Sequence, residues 1–261
     1  MRVLSCLVLV LSTTGCTRPD PAPEDIDGAL HFLWDGWDEG EEGSLAEAVG
    51  NLDTQLAELS FKGAQSRLVT EQIAHLQFSG EVPDPQLANG MFVATEMGCT
   101  YDEIAEVFTA KAQDEQYEGT YDSYERTYTS DDAAWRSGEA DRITWDVEIG
   151  ASPAGFDYVE FISGGARKVE GGPASDILLA RTWLREPATE DDDNRSFDQD
   201  YQLDVYWERE DATMVHIWAI WRQIDMGTFG DQDSTALIAV TLAEGEKWDE
   251  ETTELCEGLR E

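Results

Sequence analysis

The period of the apolar residues changes near Tyr121, and this change constrains the fold more than any other feature of the sequence. Before it, apolar residues recur at steps of three and four, as they do along one face of a helix. The longest such stripe is Leu45, Val49, Leu52, Leu56 and Leu59. After it, residues 142–150 alternate between apolar and polar, which indicates a strand with one buried face. A run of helices followed by a run of strands predicts an α+β fold.

The helical part extends from about residue 29 to about residue 118. A second, shorter stripe consists of Val69, Ile73 and Leu76. Thr100 is followed three residues later by Glu103, and this spacing is typical of a capping box at the start of a helix. The sequence therefore predicts at least three helices in this part, packed as a layer.

The second part, from about residue 119 to 261, contains six or seven predicted strands. They lie near residues 123–131, 142–150, 156–162, 177–185, 201–208, 214–224 and 235–242. Strands joined by short loops pair antiparallel, because parallel neighbours need long crossovers. We therefore expect a curved antiparallel meander, or partial barrel, under the helical layer. A final helix near residues 248–259 completes one α+β domain over residues 29–261.

The first fifteen residues have the composition of a secretory signal peptide. Arg2 precedes an apolar run from Val3 to Leu11, which is shorter than the roughly 20 residues of a membrane-spanning helix. The run ends in LSTTGC, which resembles the cleavage motif of bacterial lipoprotein precursors, although Thr13 stands where that family most often has leucine. An ordinary signal peptide is the alternative.

The lipoprotein resemblance implies a location as well as a modification. It implies cleavage before Cys16, lipidation of Cys16 and an exported protein held by its lipid in the bacterial cell envelope. Thr17, in place of an aspartate after the cysteine, favours the outer membrane. Residues 17–27 hold three prolines and four acids, so they are too polar to form a core. We expect residues 16–28 to be a disordered tether.

The cysteines of the mature chain predict one disulfide bond. If Cys16 carries lipid, Cys99 and Cys256 remain as a pair in an oxidising compartment, where disulfides persist. Their bond would tie the start of the capped helix to the final helix. Two buried free thiols, or one nucleophilic cysteine, are the alternatives.

The net charge excludes one class of partner. The chain has 56 acidic and 17 basic residues and a formal net charge of −39, which repels nucleic acid. Because the acids are spread along the whole chain, we interpret them chiefly as a solubilising surface. A surface that attracts cations or a basic partner is the alternative.

No catalytic, cofactor or metal motif is present in the sequence. The three histidines, His31, His75 and His216, have no metal-ligand spacing, and no nucleophile elbow or phosphate-binding glycine loop occurs. Residues 190–194, followed by Asp198 and Asp200, form an acidic run that lacks the spacing of a calcium loop. We interpret this run as a solvated loop, and we predict neither catalytic residues nor a cofactor.

Two predicted strands carry basic and aromatic residues at alternate positions. These are Arg181, Trp183 and Arg185 on one strand and His216, Trp218 and Arg222 on the next. If both sets face the concave side of the sheet, they form an aromatic slot with cationic ends. Such a slot would suit an amphipathic anion such as a fatty acid. In the alternative, tryptophan fills the core and arginine extends to the rim.

We therefore expect a non-catalytic envelope lipoprotein whose domain binds a small amphipathic molecule. A structural lipoprotein that docks another envelope protein is the second hypothesis. An enzyme is the third, because the order of helices, curved antiparallel sheet and terminal helix is loosely similar to helix-grip lipid-binding and cyclase folds. That similarity is architectural and implies no activity.

Overall fold

The computed structural model describes residues 21–56, 62–151, 158–189, 196–225 and 235–260. The predicted signal peptide (residues 1–15) and the predicted lipidation site at Cys16 lie outside these ranges. The described chain folds as an α+β domain with N-terminal helices, a curved open antiparallel sheet and a C-terminal helix. This confirms the predicted fold class.

Seven α-helices are formed by the described residues. Asp25 caps the first of them by accepting a hydrogen bond from Gly28 N at 2.8 Å. Thr100 and Glu103 form the predicted capping box at the fourth. The helices are α1 (Ile26–Glu39), α2 (Glu42–Leu56), α3 (Thr70–Ile73), α4 (Tyr101–Phe108), α5 (Gln113–Gln116), α6 (Asp132–Arg136) and α7 (Thr235–Gly258).

The strands form one sheet in which every pairing is antiparallel. They are β1 (Lys62–Gln65), β2 (Asn89–Met97), β3 (Ser123–Tyr128), β4 (Arg142–Ala151), β5 (Tyr158–Val169), β6 (Ile177–Leu184), β7 (Ala188–Thr189), β8 (Ser196–Glu208) and β9 (Met214–Asp225). Their order is β1-β2-β9-β8-β6-β5-β4-β3, and the short β7 pairs with β8. The stretch from β3 to β9 is the predicted meander.

The N-terminal helices cover one face of the sheet. Four residues of the predicted stripe on α2 are fully buried, and Leu59 lies outside the described residues. On α1, the Trp37 indole donates a hydrogen bond to Leu179 O at 3.1 Å, which fixes this helix over the middle of the sheet. We call this surface the α1 face.

The C-terminal helix lies on the other face, which we call the α7 face. Helix α7 crosses β2 and contacts α4. Strand β9 is therefore buried on both sides, with Ile217 and Trp221 against the α1 face and Met214 and Ile220 on the α7 face. Both faces of this strand are therefore covered, as in the interior of a layered fold.

Two elements differ from the sequence-based expectation. Residues 235–242 were expected to form the last strand, but they are the first two turns of α7. A short apolar run fits a strand and a helix equally well, and length decides between them. The outer edge of β9 is paired instead by β2, which lies in the part expected to be helical. Because β2 is covered on both faces, its residues do not alternate in polarity.

The second half of the predicted tether belongs to the folded domain. Ala22 is buried, and the Asn51 side chain donates to Pro23 O at 2.9 Å. Helix α1 begins at Ile26, inside the segment expected to be disordered. These few residues pack on α2, so their proline-rich composition did not prevent order.

Cys99 and Cys256 are joined by a disulfide bond, with their Cα atoms 5.4 Å apart. Both residues are buried. The bond links the residue before the cap of α4 to the last turns of α7, so it holds the C-terminal helix against the sheet. The predicted pairing is therefore present.

We predict that removing this disulfide lowers the free energy of unfolding. The bond closes a loop with a sequence separation of 157. The chain-entropy model gives a stabilisation of about 4–5 kcal/mol for a loop of this size. Urea denaturation should show a lower midpoint for Cys99→Ser and for the reduced wild type. The Cys99→Ser/Cys256→Ser variant should not respond to reductant, and equal midpoints for oxidised and reduced wild type would contradict the prediction.

Candidate functional site

A cavity of about 570 Å³ lies on the α7 face. Its floor is formed by β4, β5, β6, β8 and β9, and its sides by α4, α5, β3 and the loop before β3. Helix α7 closes it through residues 244–251. Cavities of roughly 300–1,000 Å³ are typical of small-molecule sites.

Aromatic side chains from the floor, the sides and α7 all line the cavity. They are Phe108, Tyr121, Tyr124, Trp145, Tyr158, Trp218 and Trp248. Burial raises the pKa of Tyr124 to about 12 and that of Tyr121 further, so both phenols are neutral at neutral pH. The wall is therefore a largely apolar surface with hydroxyl groups at its margin.

Gly245 allows α7 to approach the sheet closely. A Cβ atom at this position would lie 2.5 Å from Cε3 of Trp218, which is shorter than real contacts. Trp218 is fixed in turn by its indole hydrogen bond to Gln202 Oε1 at 3.1 Å. The glycine thus lets the helix backbone lie on the edge of the cavity.

A buried histidine connects the cavity floor to α7. His216 is 2% exposed and lies between two carboxylates, with Nδ1 2.7 Å from Asp249 and Nε2 3.1 Å from Asp204. Thr95 also donates to Asp249, and Tyr206 stacks on the imidazole ring at 4.0 Å. Burial opposes the charged form, but the two carboxylates raise the pKa of His216 to about 9. His216 is therefore an imidazolium that donates from both ring nitrogens.

Two further carboxyl groups line the cavity without a salt bridge to the described residues. Burial raises the pKa of Glu160 to about 7, with a further contribution from Asp200, and it also raises the pKa of Glu244. Arg222 lies near both, but it already donates to Asp200 at 2.7 Å. The pair Lys247–Glu251, with its atoms 2.9 Å apart, lies on the same helix as Glu244.

Arg126 is the main basic group of the cavity wall. Its Nη1 donates to Phe108 O and Ala110 O, each at 2.9 Å, and its Nε donates to Tyr124 Oη at 2.8 Å. The guanidinium lies 4.4 Å from the centroid of a Trp145 ring. Arg126 therefore joins α4 to β3, and only its Nη2 makes no hydrogen bond to the described residues.

The structure separates the two sets of residues that were expected to form one slot. Arg181, Trp183 and Arg185 lie on the α1 face, where Arg181 is 2% exposed and donates to Asp38 at 2.8 Å and to Trp34 O. Arg185 lies 3.5 Å from Asp146 on the same face. Strand β8 lies between β6 and β9, as in the predicted meander. The alternation along each strand shows which residues share a face, but it does not show which face of the sheet each set occupies.

The second set, His216, Trp218 and Arg222, lies on the α7 face. His216 and Trp218 line the cavity, whereas Arg222 lies behind it, paired with Asp200. The expected slot for an anion is therefore not formed. Several lining residues were missed, namely Arg126, Glu160, Asp204 and Glu244. Glu160 and Asp204 are single acidic residues between apolar neighbours, which was the available signal, whereas Arg126 and Glu244 stand among other polar residues.

The acidic run gives no metal site in the part of the chain that is described. Residues 190–194 lie outside it, Asp198 accepts hydrogen bonds from Ser196 and Gln223, and Asp200 accepts them from Arg222. Among the residues that the structure describes, no three His, Cys, Asp or Glu side chains are arranged to hold a metal. None of the described helices combines the length and apolarity of a membrane span.

Comparison with known proteins gives only loose structural similarity. No protein-family model matches the sequence, and no curated protein matches it. The human StarD13 (DLC2) lipid transfer and protein localization domain is 8% identical, with a TM-score of 0.43 over 78% of this chain and 94% of that one. Human StAR-related lipid transfer protein 5 is 6% identical, with a TM-score of 0.42 over 84% and 98%.

A START superfamily protein from Mycobacterium smegmatis is 12% identical, with a TM-score of 0.37 over 65% of this chain and 94% of that one. Similarity at this level supports no functional conclusion.

We predict that loss of the His216 proton lowers the free energy of unfolding as the pH becomes alkaline. Its folded pKa of about 9 lies above its usual value of 6.5, so its contribution is complete below pH 6.5 and is lost as the pH rises through 9. The shift corresponds to about 3 kcal/mol. Urea denaturation at pH 6.5 and pH 9 should show this loss in the wild type and a much smaller loss in His216→Gln. Equal losses in the two proteins would contradict the prediction.

Proposed function

We propose that this domain binds a small amphipathic molecule in the cavity between the sheet and α7, without catalysis. The observation that carries the proposal is the combination of an aromatic wall with a few buried polar groups in one cavity of about 570 Å³. Binding sites for small molecules have this composition, because the apolar wall supplies affinity and the polar groups fix orientation.

The chemistry of His216 favours binding over catalysis. A general base needs a ring nitrogen with a free lone pair. Both ring nitrogens of His216 face carboxylates, and its raised pKa keeps it protonated at neutral pH. The histidine therefore holds α7 in place and cannot accept a proton from a ligand. An enzyme that uses the carboxyl groups of the cavity is the second candidate, and turnover of a bound ligand would reveal it.

We also propose that the domain is exported and held in the bacterial cell envelope by lipid on Cys16, with the outer membrane favoured. The support is the LSTTGC motif after a short apolar segment. The first described residues, 21–25, lead directly into α1 on the α1 face. A role in docking another envelope protein is the alternative, and co-purification of a protein partner would favour it.

We predict that filling the cavity abolishes ligand binding. Ile149 lines the cavity, whereas Glu148 beside it is exposed and points to the opposite face of β4. Ile149→Trp should weaken binding of dodecanol at least about tenfold, which is a loss of about 1.4 kcal/mol. Glu148→Trp is the matched control and should bind as the wild type does. Isothermal titration calorimetry measures both.

Two results would count against the binding site. Retention of wild-type affinity by Ile149→Trp would place the ligand elsewhere. Loss of affinity in both variants, with unchanged thermal stability, would show that the effect does not depend on the cavity.

We predict that Cys16→Ser releases the protein from membranes. In the cell of origin, the wild type should partition into the detergent phase of a Triton X-114 extraction, because an acylated cysteine supplies an apolar anchor. Cys16→Ser should appear in the aqueous phase, and Cys6→Ser should behave as the wild type does. A wild-type protein that remains in the aqueous phase would contradict lipidation.

A further inference from the structure

We infer that the ligand of this cavity is an amphipathic amine, whose protonated head group binds among the carboxyl groups of Asp204, Glu160 and Glu244. This inference rests on the proposed function and specifies its ligand. It differs from the sequence-based expectation of an anion, because the residues that the fold brings together carry the opposite charge.

Asp204 provides the first observation. It is 6% exposed and lies in the cavity floor. Its Oδ1 accepts a hydrogen bond from His216, but its Oδ2 makes no hydrogen bond to any described residue. Because Asp204 lines the cavity, an N–H donor on a ligand could form a charge-assisted hydrogen bond to this oxygen.

Glu160 and Glu244 provide the second observation. Both line the cavity, and neither makes a hydrogen bond or a salt bridge to the described residues. The nearby cations are Arg222, whose charge is already balanced by Asp200, and, for Glu244, Lys247, which is paired with Glu251. A bound cation would supply the missing charge at both carboxyl groups, and it would favour their ionised forms.

Among the charged side chains that line the cavity, acids outnumber bases once the salt-bridged groups are set aside. His216 is paired with Asp204 and Asp249, and Lys247 with Glu251. Two further acids of the wall, Glu160 and Glu244, stand against one further base, Arg126. Two acids and one base leave a formal excess of one negative charge, which disfavours a carboxylate or phosphate ligand.

The aromatic wall suits the same ligand. A cation near the face of a tryptophan or tyrosine ring is attracted by the ring quadrupole, most strongly where water is excluded. Trp145, Trp218 and Trp248 all line this cavity. A primary ammonium group also has three donors and no acceptor, which matches a site of carboxyl groups. The alkyl part of the ligand would lie on the apolar wall.

The test compares three probes with the same alkyl chain and different head groups: dodecylammonium, dodecanol and dodecanoate. Each is titrated below its micelle concentration at pH 7 in about 0.15 M salt, where the Debye length is about 8 Å, so the field of the whole acidic surface is screened. We expect dodecylammonium to bind at least about tenfold more tightly than dodecanol, which corresponds to one charge-assisted hydrogen bond. Dodecanoate should bind most weakly.

Matched variants separate the site from the overall charge. Glu160→Gln should reduce the preference for dodecylammonium over dodecanol about tenfold and leave dodecanol binding unchanged. Glu148→Gln is the matched control, because it removes one negative charge from the face of β4 that is turned away from the cavity. This variant should keep the preference for dodecylammonium over dodecanol. Asp204→Asn should also reduce the preference, and thermal denaturation checks that it is folded.

The outcomes distinguish this inference from the proposed function. If dodecanol binds and Ile149→Trp blocks it, but dodecanoate binds as tightly as dodecylammonium, the amine inference is wrong and the proposed function stands. A preference that Glu160→Gln and Asp204→Asn both leave intact also overturns the inference, because it then comes from the net charge. If no probe binds in a way that Ile149→Trp blocks, the proposed function itself fails.

Discussion

The attachment of α7 to the sheet is the interaction on which the cavity depends. The helix contributes no strand pairing, so its position is set by side chains. The protonated His216 binds Asp249 of α7 and Asp204 of β8 together, and the Cys99–Cys256 bond fixes the last turns of the helix. One attachment is ionic and buried, and the other is covalent. Loss of either attachment would expose the aromatic side chains of the cavity floor to water.

The two faces of the sheet use arginine and tryptophan in different ways. On the α1 face, Arg181 is fully enclosed by helix α1 and bound to Asp38, so it stabilises the contact between helix and sheet. On the α7 face, the described side chains leave a space above the strands, and Glu160 and Glu244 border it without a salt bridge to the described residues. The α1 face thus stabilises the fold, and the α7 face holds the cavity in which we propose that an amine binds.

Local sequence patterns predicted most of the helices and strands. The remaining features depend on contacts between residues that are distant in the sequence. The stripe on α2, the capping box of α4 and the alternation of β4 each depend on residues close in sequence, and each was found as expected. Strand β2 was missed because apolar residues on both of its faces remove the alternation of a strand. The first turns of α7 were expected to be a strand because a short apolar run fits both structures. The site depends on which strands are neighbours. The face of the sheet that each set of basic and aromatic residues occupies, and the partnership of His216 with Asp249, depend on contacts between residues far apart in sequence.

The measurement that tests the central claim most directly is native mass spectrometry of the protein extracted gently from its own cell envelope. The account predicts a bound small molecule with an alkyl part and a basic nitrogen, present on the wild type and absent from Ile149→Trp. A bound mass that Ile149→Trp retains, or a wild type that carries only an acidic lipid, would contradict it.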